Sequence, residues 1–181
     1  MAGRTWVGSV DHVSDRSVDD IGARFTLRED DQGGWASFTP LVGGWTDERV
    51  SIDGGLTDGG ERMVATARPV DGTEANAPVG PGVFALRWFE CVPSDAEELV
   101  ALSEAAWPAF EAGTPGTQIF GLFRVGEQEG AVARFLLCTR YSNVAAWETS
   151  RADTNSEEFR RRRELTTRSQ VSLWRLAGRS A

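Results

Sequence analysis

The chain has 181 residues, 40% hydrophobic and 25% charged, enough for a sizeable core in one domain or two small ones. Its formal net charge is -8 and all 19 basic residues are arginine, so sequence-independent binding to nucleic acid, which would set an acidic chain against phosphate, is not expected. With one histidine, His12, and two cysteines, Cys91 and Cys138, the composition excludes a disulfide framework and any zinc or iron site built on paired histidines. No apolar run is long enough to cross a membrane, and residues 1–6 lack the apolar core of a signal peptide, so a cytoplasmic protein without membrane contact is expected.

Residues 4–13 fit a strand with Trp6, Gly8 and Val10 on one face. Residues 17–21 open like a helix, whereas 24–28 alternate like a strand; a short helix and a strand pair both fit. Glycine pairs at 33–34, 43–44, 54–55 and 59–60 punctuate short strands predicted over 35–42, 45–52 and 62–70. The loop 53–61 carries three carboxylates but not the ligand pattern of an EF-hand, and reads as a hairpin loop. Residues 71–82, with Pro78 and Pro81, read as a linker, giving two domains at 1–80 and 81–181. Trp35-Ala36-Ser37-Phe38 is echoed by Trp107-Pro108-Ala109-Phe110, either by chance or as the trace of a degenerate repeat.

Residues 83–92 are rich in β-branched and aromatic side chains between Gly80-Pro81-Gly82 and Pro93, which predicts a strand. Ser94 and Glu97 have capping-box spacing ahead of a helix over 94–112, with Leu99, Leu102, Ala106 and Phe110 in one stripe. Pro108 is expected to break that helix's ladder and Gly113 to stop it. Strands at 118–125 and 131–141 form a hairpin. Asn143 caps a second helix, interrupted over 152–156 and resuming over 157–167, and a strand at 170–176 closes the unit. The run Arg160 to Arg163, beside Glu157, Glu158 and Glu164, reads as a solvated helix face with i,i+4 pairs.

The order β-α-β-β-α-β, together with Phe84-Ala85-Leu86-Arg87-Trp88-Phe89, Ala106-Trp107-Pro108-Ala109-Phe110-Glu111, Ile119-Phe120-Gly121-Leu122-Phe123 and the segment from Leu137 to Trp147, resembles the dimeric α/β-barrel superfamily, most closely its NIPSNAP-like domains. The likeness covers about half of the chain, and its motifs are structural positions. It implies an α+β fold in which ferredoxin-like βαββαβ sheets pack in pairs. The second sheet comes either from another chain, in a homodimer, or from a degenerate β-rich first half, in a tandem pseudo-dimer. It also implies a pocket between each sheet and the structure covering it. The superfamily includes cofactor-free monooxygenases, haem-degrading enzymes, haem peroxidases, cyclases and members without known activity. No histidine follows His12, so the haem ligand or catalytic histidine of many relatives is missing, and no cofactor or metal is expected.

Alternation along the first strand of this unit separates Phe84, Leu86 and Trp88 from Ala85, Arg87, Phe89 and Cys91. If the first and third strands run parallel, the shared offset of 47 residues (134 − 87 and 138 − 91) sets Arg87 beside Arg134 and Cys91 beside Cys138. Adjacent buried cations require an anion between them. The expected site is therefore on the barrel-facing side: Arg87 and Arg134, joined by Arg175, would hold a carboxylate, enolate or phenolate, with walls from Phe89, Trp107, Phe120, Phe123 or Tyr141. The alternative is that these arginines pair with Glu90, Glu111 or Glu148, or lie at the rim. Tyr141, the only tyrosine, is either a proton donor to such an anion or a strand-end ring with its hydroxyl at the surface. Cys91 and Cys138 read as small core residues, and His12 has no evident orienting partner.

The expected function is a small-molecule-binding α/β-barrel protein for an apolar or aromatic ligand. It would act as a cofactor-independent enzyme of monooxygenase or cyclase type on an aromatic or polyketide-like substrate. The competing expectation is a non-catalytic dimerisation or scaffold domain, whose own side chains would fill the space.

Overall fold

The computed structural model describes residues 5–12, 25–28, 35–42, 48–52, 60–66, 68, 80–125, 132–152 and 156–178. Five strands come first: β1 (Thr5–His12), β2 (Phe25–Arg28), β3 (Trp35–Val42), β4 (Glu48–Ile52) and β5 (Gly60–Ala65). The C-terminal α+β unit follows as β6 (Val83–Cys91), α1 (Ala96–Gly113), β7 (Gln118–Val125), β8 (Ala133–Tyr141), α2 (Val144–Ala152), α3 (Glu157–Leu165) and β9 (Thr166–Gly178). Its four strands pair antiparallel in the order β9-β6-β8-β7, resembling a ferredoxin-like unit. Beyond its edges β9 pairs with β3 and β7 with β5, so the described strands close into a ring, β1-β4-β2-β3-β9-β6-β8-β7-β5.

The antiparallel pairing of β6 with β8 corrects the parallel register expected from sequence. The connection through α1 brings β7 back parallel to β6, and the β7–β8 hairpin then reverses direction, so β8 opposes both neighbours. Antiparallel partners share a constant sum of residue numbers, not a constant difference, and the common offset of 47 has no structural meaning. Arg87 lies opposite Leu137, Leu86 opposite Cys138, Glu90 opposite Arg134, and Cys91 opposite Ala133. Neither the arginine pair nor the cysteine pair forms.

The remaining elements follow their local signals with specific departures. A 3₁₀ turn over Pro93–Asp95 delays the start of α1 to Ala96. Ser94 Oγ therefore donates to Asp95 Oδ1 at 3.0 Å, and no capping box forms. Pro108 sits inside α1 without ending it, and Thr114 N still reaches Phe110 O at 3.0 Å. Asn143 caps α2 as expected, its Oδ1 accepting from Ala146 N at 2.9 Å. Ser156 Oγ caps α3, accepting from Phe159 N at 3.3 Å. In the first half, residues 25–28 are strand, while 17–21 and most of the expected loop (53–59) and linker (71–79) lie outside the described residues. The two echoed Trp-x-x-Phe segments fall in β3 and α1, a strand and a helix, so they are not equivalent positions of a repeat.

The helices cover one face of the C-terminal sheet. Phe89, Cys91, Leu122 and Phe135 from the sheet meet Leu99, Trp107 and Leu165 from the helices in one core. Glu111 ties the end of α1 to β7. Its Oε1 accepts from Ile119 N at 2.7 Å and from Arg68 Nη1 at 2.8 Å, and Arg68 Nη1 also reaches Ile119 O at 3.2 Å. Glu111→Ala strands the buried Ile119 N–H and should lower the unfolding free energy in urea by about 2 kcal/mol. An unchanged denaturation midpoint would show that apolar contacts alone hold this junction.

Candidate anion-binding cavity

Residues opposite one another in an antiparallel ladder share a face. Val83 with Tyr141, Ala85 with Thr139 and Arg87 with Leu137 therefore stand on the face of β6 and β8 that the helices cover. Between that face and the helices lies a cavity of about 230 Å³. Its floor is Ala85, Arg87, Leu137, Thr139 and Tyr141, with Ile119 from β7. Trp107 and Phe110 of α1 form an aromatic wall with Phe159 of α3, and Ser150, Arg151, Arg162 and Arg163 complete the lining. No aspartate or glutamate is among these described residues.

Two of the arginines are set into the protein. Arg162 is 8% exposed; it projects from α3 on the side of Phe159 and Leu165, three residues away in each direction. Its guanidinium lies 4.9 Å from the Phe89 ring centroid and 5.1 Å from that of Phe159, and Nη1 donates to Ser103 Oγ at 3.3 Å. Burial, and secondly the charge of Arg87, push its pKa down to about 10. Arg87, half-buried in mid-strand, is also lowered, chiefly by burial, with Tyr141 opposing and Arg151 reinforcing the shift. Among the described residues neither guanidinium has a carboxylate partner. Their neighbours on α3 behave differently: Arg160 pairs with Glu164 at 3.0 Å and Arg161 with Glu98 at 2.7 Å.

Tyr141 is 5% exposed, so its hydroxyl is not at the surface. The phenol shares a hydrogen bond with the hydroxyl of Ser150, which also reaches Trp147 O at 2.7 Å. Burial raises its pKa, against the opposing pull of Ser150, Arg87 and Arg162. At neutral pH the cavity is therefore lined by four cations, two of them (Arg87 and Arg162) set into the protein, and by a neutral phenol. The adjoining Trp107 carries a buried Nε1 that finds no acceptor among the described residues.

The structure brings together Arg87, Tyr141 and Trp107 of the residues singled out from sequence. Phe89 lies behind Arg162 in the core. Arg134 is on the opposite face of the sheet, 5.0 Å from the Trp88 ring centroid and 3.9 Å from Glu90, one of the acidic partners the alternative reading names. Phe123 faces Leu136, also away from the cavity, and its ring lies 6.3 Å from that of Phe120. Arg175 is exposed on β9, opposite Thr39. The barrel-facing arginine cluster thus does not form, because alternation in an antiparallel pair sends Arg87 and Arg134 to opposite sides. The residues missed from sequence are Arg162, Thr139, Ser150, Phe110 and Phe159. The spacing Phe159, Arg162, Leu165 was the available signal that one arginine of the run faces inward.

Cys138 is fully buried and burial raises its pKa, as it does for Cys91, so neither offers a thiolate at neutral pH. Among the described residues no group of His, Cys, Asp and Glu could hold a metal ion, and no helix is long and apolar enough to cross a membrane. Comparison with models of known protein families and with curated proteins finds no match.

A buried cation without a counter-charge costs stability, and an apolar replacement of similar shape relieves that cost. Arg162→Met, which keeps the packing on Phe89 and Phe159, should therefore raise the unfolding free energy of the ligand-free protein by about 1 kcal/mol. Destabilisation of about that size in chemical denaturation would instead make Arg162 a structural partner of Ser103.

Proposed function

We propose that the protein binds a small organic anion in this cavity. The anionic group rests against Arg87 and Arg162, and an aromatic or apolar body lies along Trp107, Phe110 and Phe159. One observation carries the reading: a buried and a half-buried guanidinium, Arg162 and Arg87, border an open space and have no carboxylate partner among the described residues. An isolated buried charge is costly unless something of opposite sign completes it. A cavity that encloses apolar surface and a few convergent polar groups suits a small ligand. A purely scaffolding domain gives no reason to leave such a space beside Arg87 and Arg162, which have no carboxylate partner among the described residues.

The same groups suit cofactor-independent chemistry of monooxygenase or cyclase type on an aromatic or polyketide-like substrate. The neutral phenol of Tyr141 can donate to an enolate or phenolate oxygen, and Arg87 can stabilise the anion. No described lining residue is a base at neutral pH, so the substrate would have to be acidic enough to bind as its own anion.

The strand order supports the dimeric α/β-barrel, NIPSNAP-like reading with residues 1–80 as a degenerate partner for residues 81–181. In the first half β1 lies between β5 and β4, as β6 lies between β9 and β8 in the second. The first half departs from the pattern in its additional strand and in the parallel pairing of β2 with β4. On this reading one chain closes its own ring, and light scattering should give the monomer mass of 19.7 kDa. A mass twice as large would favour a homodimer.

Calorimetric titration with benzenesulfonate, a permanent anion, should show saturable binding that weakens at least about tenfold in Arg87→Met. Affinity should stay flat between about pH 6 and pH 8, where neither arginine titrates, and fall as the pH passes about 10 and Arg162 loses its proton. No binding by benzenesulfonate, benzoate or phenyl phosphate would remove the proposal.

A further inference from the structure

Resting on the organic-anion reading above, we infer that the cavity takes a ligand with a doubly charged oxyanion head group, a phosphate monoester on a small aromatic or apolar body. Charge balance favours a dianion. Of the four arginines that line the cavity, Arg87 and Arg162 are the two set into the protein, and they supply two positive charges with no carboxylate partner among the described residues. A monoanion would leave one of them uncompensated inside the protein, whereas a phosphate monoester near neutral pH carries close to two negative charges.

The approach directions support a single head group. Arg87 rises from the sheet floor and Arg162 descends from α3, and the charge of Arg87 is felt at Arg162. Two guanidinium forks on opposite sides of one space can each take a pair of oxygens from one tetrahedral phosphoryl group. A dicarboxylate would hold its two charges further apart and spread them along a volume of only about 230 Å³.

Hydrogen-bonding capacity points the same way. Each guanidinium presents several donors. The Ser150 hydroxyl is engaged with the Tyr141 phenol and with Trp147 O. The guanidiniums thus make the cavity rich in donors, matching a head group with three terminal oxygens and no proton to give. The remaining walls, Trp107, Phe110 and Phe159, are apolar and aromatic, and they suit the body of an ester better than the hydration shell of a free ion.

The test is isothermal titration of the full-length protein at about pH 8, where the monoester is dianionic, with phenyl phosphate, benzenesulfonate, benzoate, phthalate and inorganic phosphate. The expected result is that phenyl phosphate binds at least about tenfold more tightly than any of the other four, and that both Arg87→Met and Arg162→Met remove this advantage. Circular dichroism and urea denaturation of the variants confirm that they are folded. Equal affinity for phenyl phosphate and benzenesulfonate would overturn the doubly charged head group while leaving the organic-anion reading in place. Phthalate as tight as phenyl phosphate would overturn the single phosphoryl group. Inorganic phosphate as tight as phenyl phosphate would overturn the ester. Absence of binding by all five would overturn both readings.

Discussion

Two guanidinium groups beneath the helices of the C-terminal sheet have no acidic partner among the described residues, and the character of the cavity follows from that imbalance. Removing a cation from water costs several kcal/mol unless a counter-charge or a dense set of acceptors replaces the solvent. Among the described residues, Arg162 has Ser103 Oγ and the faces of Phe89 and Phe159 in that role. One residue earlier on the same helix, Arg161 meets Glu98 at 2.7 Å and remains well exposed. The contrast lies in direction: the residue three positions from both Phe159 and Leu165 must follow them inward.

The sheet determines which arginines can take part. Because β8 returns antiparallel beside β6, Arg87 shares a face with Leu137 and Tyr141, and Arg134 shares the other with Glu90. Helices cover the first face, so a charge there is desolvated. The same covering raises the pKa of the Tyr141 phenol and makes it a donor. A partly open site with cations, a neutral phenol and no base among its described lining residues favours holding an anion over generating one, which limits any chemistry to substrates that arrive ionised.

Much of the architecture was legible in the sequence because local signals and tertiary placement agree. The β6 strand between Gly82 and Pro93, the β7–β8 hairpin and the Asn143 cap all lie where composition and turn chemistry put them. The capping box at Ser94 failed because Pro93 begins a 3₁₀ turn and moves the helix start past it. For the site, the principle that paired buried cations require an anion was available, but the partner of Arg87 was not. Strand direction is a property of connections rather than of residues, and an equal spacing of arginines and cysteines imitated a register. Arg162 was hidden because a run of four arginines flanked by glutamates has the signature of a solvated face, and only two apolar residues, Phe159 and Leu165, mark the buried stripe of so short a helix.

The most direct measurement is anomalous diffraction from crystals of the protein grown with the selenate dianion. An anomalous selenium peak is expected inside the cavity, within hydrogen-bonding distance of the guanidiniums of both Arg87 and Arg162. Selenate ordered only at exposed arginines such as Arg160, with the cavity occupied by water or closed over its own side chains, would contradict it.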